Sequence, residues 1–177
     1  MPLRPTDIAK MAVEKYIKEN EIIPPPENLG AEFKQKRAGV FVTIEKKVQQ
    51  THQKELRGCI GTYLPTKENI VEEIISNAIS AATQDPRFGP VQQEELPELS
   101  YSIYIIEKPE KISSKENLNP EIYGIIVKSG LKTGLLLPAL ENIRTIDEQL
   151  FYACQKAGIN PENEKIEIYR FKAKKYQ

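Results

Sequence analysis

Two short stretches of this 177-residue chain carry residue types that could do chemistry. The first, "LRGCIG" at residues 56–61, places Cys59 two positions after Arg57 and between Gly58 and Gly61. In an extended chain the side chains alternate, so Arg57, Cys59 and Gly61 are expected on one face and Leu56, Gly58 and Ile60 on the other. A guanidinium beside a thiol favours the thiolate and lowers its pKa from about 8.5, which is the condition for nucleophilicity. Glycines without a Cβ let another backbone or a ligand come close. Packing accounts for the same residues, because free cysteine is among the most buried types and a neighbouring glycine makes room for a helix. The second stretch is "QDPRFGP" at residues 84–90. Asp85 before Pro86 opens a turn in which the carboxylate caps backbone donors while Arg87 reaches outward.

Geometry connects the two. A helix of about 16 residues rises about 24 Å, and a strand of about six residues covers about 20 Å. A helix packed back along "LRGCIG" therefore returns Asp85 and Arg87 towards Arg57. The candidate cleft is Arg57, Gly58, Cys59, Gly61, Asp85 and Arg87, suited to a small anionic or nucleotide-like ligand. A structural ion pair that locks the loop is the competing reading of Asp85 and the arginines.

Other residues point away from chemistry. His52, the only histidine, sits in a polar connection and reads as a solvated loop residue more readily than as a base for Cys59. Cys154 shares a helical face with Leu150 and Ala157, a core position. The two cysteines lie far apart, with no Cys-x-x-Cys and no histidine cluster, so neither a disulfide framework nor a metal site is expected. "SGLKTGLLLP" lacks the spacing of a phosphate loop, and no cofactor is expected. "YRFKAKKYQ" interleaves aromatic and basic residues as some nucleic-acid surfaces do, but a charged edge strand explains it equally.

Composition narrows the class. Forty per cent apolar residues suffice for one ordinary domain or two small subdomains. The 25 basic and 25 acidic residues cancel, so no overall field holds the chain on nucleic acid or an anionic membrane. The N-terminus has no apolar core of a signal peptide, and "GLLLPAL" falls far short of the roughly 20 residues that span a bilayer. A soluble protein of the reducing cytoplasm is expected, with no membrane partner.

The elements that must position the candidate residues follow from periodicity. A surface helix is expected from Thr6, as N-cap, to Asn20, and "IIPPPENLG" must be a loop. "GVFVTIEKKV" and "LRGCIG" read as two strands joined by a polar hairpin connection. From Thr66 to Ala82, Ile70, Val71, Ile74, Ile75, Ala78 and Ile79 repeat as adjacent pairs, marking a second amphipathic helix. "LSYSIYIIE" alternates as a strand. "EIYGIIVK" and "LKTGLLLP" flank Ser129-Gly130 as a hairpin. Thr145 and Glu148 form a capping box, and Gly158 ends that third helix. "KIEIYRFKA" reads as one final strand. The expected class is α+β, two two-layer subdomains, each an antiparallel sheet covered by helices. Residues 1–110 would form the larger, carrying both motifs, and residues 111–177 the smaller, with the last strand free to return to the first.

With "LRGCIG", "DPRFGPV", "GLLLP" and "YRF" in this order, the chain resembles the AMMECR family from about Asp7 to about Phe171. Leu56 to Gly61 match the first motif as they stand, and Asp85, Pro86, Arg87 and Phe88 match the second. The resemblance implies an α+β protein of one larger and one smaller two-layer subdomain. It also implies a genomic association with Memo-like and radical-SAM proteins, and hence a shared modification pathway. It carries over no catalytic residue. Two readings compete: a binding or accessory protein for a protein partner, and an enzyme using Arg57, Cys59 and Asp85 on a small anionic substrate. An RNA-linked factor is a third, weighed down by the zero net charge.

Overall fold

The structure, a computed structural model, describes residues 3–48 and 53–177. His52 lies outside the described residues. The elements in chain order are helices α1 (Pro5–Glu19) and α2 (Ala31–Gln35), strands β1 (Gly39–Lys47) and β2 (Lys54–Gly61), and helix α3 (Ile70–Thr83). A 3-10 turn (Gln93–Glu98) leads into β3 (Leu99–Ile106) and β4 (Glu110–Ile112). Then come β5 (Gly124–Ser129), β6 (Lys132–Leu136), α4 (Ile146–Ala157), β7 (Glu167–Phe171) and β8 (Ala173–Tyr176). The fold is α+β. The chain divides into two compact units, one running to Ile106 and including Lys174–Gln177, the other Glu107–Ala173.

In the first unit an antiparallel sheet of order β2-β1-β3-β8 lies under α1 and α3. Alternate residues of β1, Val40, Val42 and Ile44, are fully buried with Ile103 of β3. They meet Ile8, Ala12 and Val13 of α1 and Val71, Ile74 and Ala78 of α3, apolar positions recurring every three to four residues. Gly58 brings α3 close: a Cβ built there would lie under 3.0 Å from the Ala81 carbonyl oxygen. The helix backbone therefore rests directly on β2.

Two helix starts differ from expectation. The first begins at Pro5, not beyond Thr6, because proline's fixed φ suits the opening position and Asp7 accepts the Arg4 amide at 2.9 Å. Thr6 is buried inside the first turn. The second begins at Ile70, with Asn69 Oδ1 capping the Glu72 amide at 3.0 Å, rather than at Thr66. Residues 62–67 are held instead by Glu73, which is fully buried. Its Oε1 accepts from the Thr62 and Thr66 hydroxyls, both at 2.8 Å, and its Oε2 from the amides of Thr66 (2.7 Å) and Lys67 (2.8 Å). Burial pushes this carboxyl up, but the hydrogen bonds outweigh burial and hold it below the ordinary range.

The second unit repeats the device. Its antiparallel sheet, of order β4-β7-β5-β6, packs Ile125 and Val127 against Ala153 and Cys154 of α4. A Cβ on Gly134 would likewise collide with the Ala153 carbonyl oxygen. The capping box of Thr145 and Glu148 and the left-handed Gly158 (φ 64°) bound α4 as the sequence indicates. Cys154 is buried, and burial pushes its thiol up. The last strand is a correction: "KIEIYRFKA" holds β7, in the second sheet, and beyond Lys172 its last residue, Ala173, opens a separate strand, β8, in the first. The Lys172 carbonyl accepts the Glu107 amide at 2.9 Å instead of joining either ladder. Among the described residues no helix is long and apolar enough to cross a membrane.

Candidate functional site

The "LRGCIG" motif is strand β2, which stands at the edge of its sheet and is paired only with β1. Gly61 faces Phe41, Cys59 faces Thr43 and Gly58 faces Ile44, but the next pair is Leu56 with Glu45. A β-bulge thus leaves Arg57 without a ladder partner. Directly opposed residues share a face. Gly58 therefore lies with Ile44 under the helices, while Leu56, Cys59 and Gly61 lie on the other face with Glu45, Thr43 and Phe41. The strict alternation expected from the sequence breaks at Arg57, and the guanidinium does not share a face with the thiol. It turns instead to the side of Lys46, which alternates with Ile44 along β1.

Arg57 is fully engaged there. Its Nε and Nη2 donate to the two carboxylate oxygens of Glu95, both at 2.9 Å, and its Nη1 donates to the Gly89 carbonyl at 2.9 Å. Lys46 Nζ adds a bond to Glu95 Oε1 at 3.0 Å, and Glu95 Oε2 caps its own turn at the Gln92 amide (2.9 Å). Bidentate pairing with a guanidinium is the strongest such geometry. The Arg57 bonds, opposed by burial and helped by Gln92 and Lys46, bring Glu95 down from 4.5 to about 2.

Asp85 is the second centre. Its side chain is 2% exposed, against 55% for Arg87. Asp85 Oδ2 accepts from the Cys59 amide and from Arg87 Nη2, both at 2.8 Å. Oδ1 accepts from Arg87 Nε at 3.0 Å and from the Arg87 amide at 3.1 Å. The Arg87 bonds lead in holding this carboxyl far below the usual carboxylate range, with the Cys59 amide assisting and burial opposing. One aspartate thus closes its own turn and takes up an outward N–H of an edge strand, a group otherwise open to pairing with another chain. The centre of the Phe88 ring lies 5.9 Å from the Arg57 guanidinium and 5.5 Å from that of Arg87.

Cys59 itself is half-buried, with Sγ 3.3 Å from the Thr43 hydroxyl. Asp85 is the main support of the Arg87 cation, and Cys59 adds a smaller electrostatic contribution. Arg87, which shares Asp85 Oδ2 with the Cys59 amide, is the guanidinium tied directly to the Cys59 backbone. Gly61 leaves room for the Phe41 ring, where a Cβ would collide. The structure brings Asp85, Arg87 and Cys59 together through direct bonds and sends Arg57 to Glu95. Among the described residues no group of three or more histidine, cysteine or acidic side chains could hold a metal ion.

Acid should expose the lock. Glu95 has a folded-state pKa depressed below its unfolded value, so the unfolded chain binds more protons between the two and stability rises with pH through that window. The contribution is complete above the unfolded value of 4.5 and is lost as pH falls towards about 2. Urea melts at intervals from pH 6 to pH 2 should show a shallower acid decline for Glu95→Gln than for the unsubstituted protein. Identical slopes would remove Glu95 from the lock.

Comparison with known proteins gives the chain its family. The AMMECR1 family model matches residues 6–176. A protein of Thermotoga maritima is 45% identical over 165 residues, covering 93% of this chain and 92% of that protein. A Clostridium acetobutylicum protein is 41% identical over 154 residues, 86% of this chain but only 31% of that longer protein. The crystal structure of an uncharacterized protein from Pyrococcus horikoshii superposes with a TM-score of 0.87 at 33% identity, covering 97% of this chain and 88% of that one. This chain belongs to the AMMECR1 family.

Proposed function

We propose that the protein is a binding or accessory protein whose corner of β2 and the Asp85–Phe88 turn presents a fixed contact surface. Arg87 and Phe88 form that surface, held in place by Asp85 on the Cys59 amide, and suit a protein partner or a small anionic group. The observation that carries the reading is Asp85: buried, accepting four hydrogen bonds and held ionised, it has no capacity left to take a proton from a reacting group. Glu95 is committed in the same way. A thiol nucleophile needs a base within hydrogen-bond reach. Among the described residues the side-chain group that Cys59 meets is the Thr43 hydroxyl, which is no base at neutral pH. Arg87 is different, since half of its side chain faces solvent while Asp85 fixes its direction. Preorganisation of this kind lowers the entropy cost of binding.

An accessory role is also supported by the Clostridium acetobutylicum relative, where the matched segment is a minor part of a longer chain. It suits a place beside larger proteins in a modification pathway. That relative supplies the test. Its protein, with the matched segment deleted, is titrated with this chain and binding is followed by fluorescence anisotropy. Saturable binding that weakens about tenfold or more with Arg87→Glu and is unchanged with Cys59→Ser is the expected result. Absence of binding, or loss with Cys59→Ser alone, would contradict the reading.

A further inference from the structure

Two arginine–carboxylate pairs of one geometry stand near the Phe88 ring. Arg57 Nε and Nη2 donate to the two oxygens of Glu95, and Arg87 Nε and Nη2 donate to the two oxygens of Asp85. In each guanidinium this uses one edge of the fork and leaves the Nη1 donors over. The first pair shows what such a donor takes. Arg57 Nη1 donates to the Gly89 carbonyl at 2.9 Å, the peptide oxygen that precedes Pro90. Arg87 Nη1 has no hydrogen-bond partner among the described residues, and the side chain is 55% exposed.

The charges of the corner are balanced. Lys46, Arg57 and Arg87 pair with Asp85, Glu95 and Glu98. With the Asp85 carboxylate bonded to Arg87, an incoming anion meets one attraction and one repulsion at comparable range, and a dianion meets twice of each. An uncharged acceptor meets the donor alone and gives up no ionic hydration. The donor is also fixed in place. The Arg87 amide donates to Asp85 Oδ1 and the Phe88 amide to the Asp85 carbonyl, both at 3.1 Å, and the two guanidinium bonds set the direction of the side chain. A guanidinium held in this way loses little further rotamer freedom on binding.

We propose that Arg87 Nη1 takes an uncharged peptide carbonyl of a protein partner, while an apolar side chain next to that carbonyl packs on the half-buried Phe88 ring. This occupant presupposes the contact role proposed above, and of the two classes which that role admits it is the protein one. The partner's carbonyl stands to the Asp85–Arg87 pair as the Gly89 carbonyl stands to the Glu95–Arg57 pair. Recognition by a charge-balanced donor depends little on salt, whereas capture of an anion weakens as salt screens it.

The test uses the full chain, labelled with nitrogen-15 and observed at its backbone amides and arginine side chains. The probes, at equal ionic strength, are the blocked tripeptide acetyl-Leu-Gly-Pro-amide, sodium acetate and inorganic phosphate. The tripeptide, which offers a carbonyl before a proline beside an apolar side chain, should shift the Arg87 guanidinium and Phe88 amide signals saturably in the millimolar range and leave those of Arg57 unchanged. Acetate and phosphate should bind several-fold more weakly. Raising salt from about 0.05 M to about 0.5 M should change the tripeptide affinity by less than about twofold. Arg87→Lys keeps the charge but loses the fork fixed on Asp85, so it should bind the tripeptide about fivefold more weakly, as loss of one hydrogen bond implies. The titration against the Clostridium acetobutylicum relative with Arg87→Glu tests the contact role by itself, so the two fail or succeed separately. Tighter binding of acetate or phosphate than of the tripeptide would overturn the carbonyl proposal and leave the corner a contact surface for an anion. Absence of saturable shifts at tens of millimolar tripeptide, or full affinity in Arg87→Lys, would overturn it as well.

Discussion

Asp85→Ala is expected to lower the free energy of unfolding by about 2 to 4 kcal/mol, because it leaves two backbone amides, those of Cys59 and Arg87, without their acceptor. Arg87→Ala, which takes the cation from a carboxylate that keeps both amides, should cost less, about 1 to 2 kcal/mol beyond the loss of its packing on Phe88. The asymmetry follows from exposure. Asp85 is 2% exposed and its removal strands the Cys59 amide and the turn's own amide without an acceptor, whereas Arg87 is 55% exposed and leaves a carboxylate that still holds both amides. Asp85→Asn should fall between, because the amide keeps one acceptor oxygen and loses the charge. Denaturant melts of the three variants at neutral pH measure these differences. Equal losses for Asp85→Ala and Arg87→Ala would mean that the ion pair, and not the backbone acceptor role, carries the stability.

Gly58→Ala should be nearly as damaging, with a loss of about 3 kcal/mol. The added methyl would overlap the Ala81 carbonyl oxygen, and a backbone atom in a packed helix cannot rotate aside as a side chain can. Accommodation requires α3 to lift from β2, which would displace the Asp85 turn that follows the helix. Gly89→Ala is the control. Nothing lies within 4 Å of a Cβ there and its φ is not left-handed, so its melt should match the unsubstituted protein within about 0.5 kcal/mol. Gly58 is thus required by the close approach of a helix, and with Gly61 against Phe41 the motif owes both of its glycines to packing.

Features set by local chemistry were readable in the sequence. The ends of α4 depend on Thr145, Glu148 and Gly158, all within or next to the helix, and they lie where the residues put them. The motifs that suggested the AMMECR family are borne out by the family model's match over residues 6–176. Features set by pairing were not readable. The bulge that turns Arg57 away from Cys59 exists only in the register of β2 against β1. Glu95 stands 38 residues from Arg57, and no spacing rule connects an acidic residue in a 3-10 turn to an arginine on an edge strand. The start of α3 was misplaced for a similar reason. Thr66 is a good capping residue by type, but its hydroxyl and amide are claimed by Glu73 from within the helix. The break at Lys172 is hidden by an uninterrupted alternation of residue types on either side of it.

The central claim is that Cys59 is a positioned small residue in a charge-satisfied corner and not an activated nucleophile. Its reaction with iodoacetamide at pH 6 and pH 7, followed by mass spectrometry in the unsubstituted protein and in Cys59→Ser with Cys154 present in both, tests this most directly. Cys154 is buried and serves as an internal slow reference. The expected result is that Cys59 labels no faster at either pH than the same cysteine in the urea-unfolded chain. Labelling at pH 6 about tenfold or more faster than in the unfolded chain would show a thiolate maintained by the fold, and would make the corner a catalytic site.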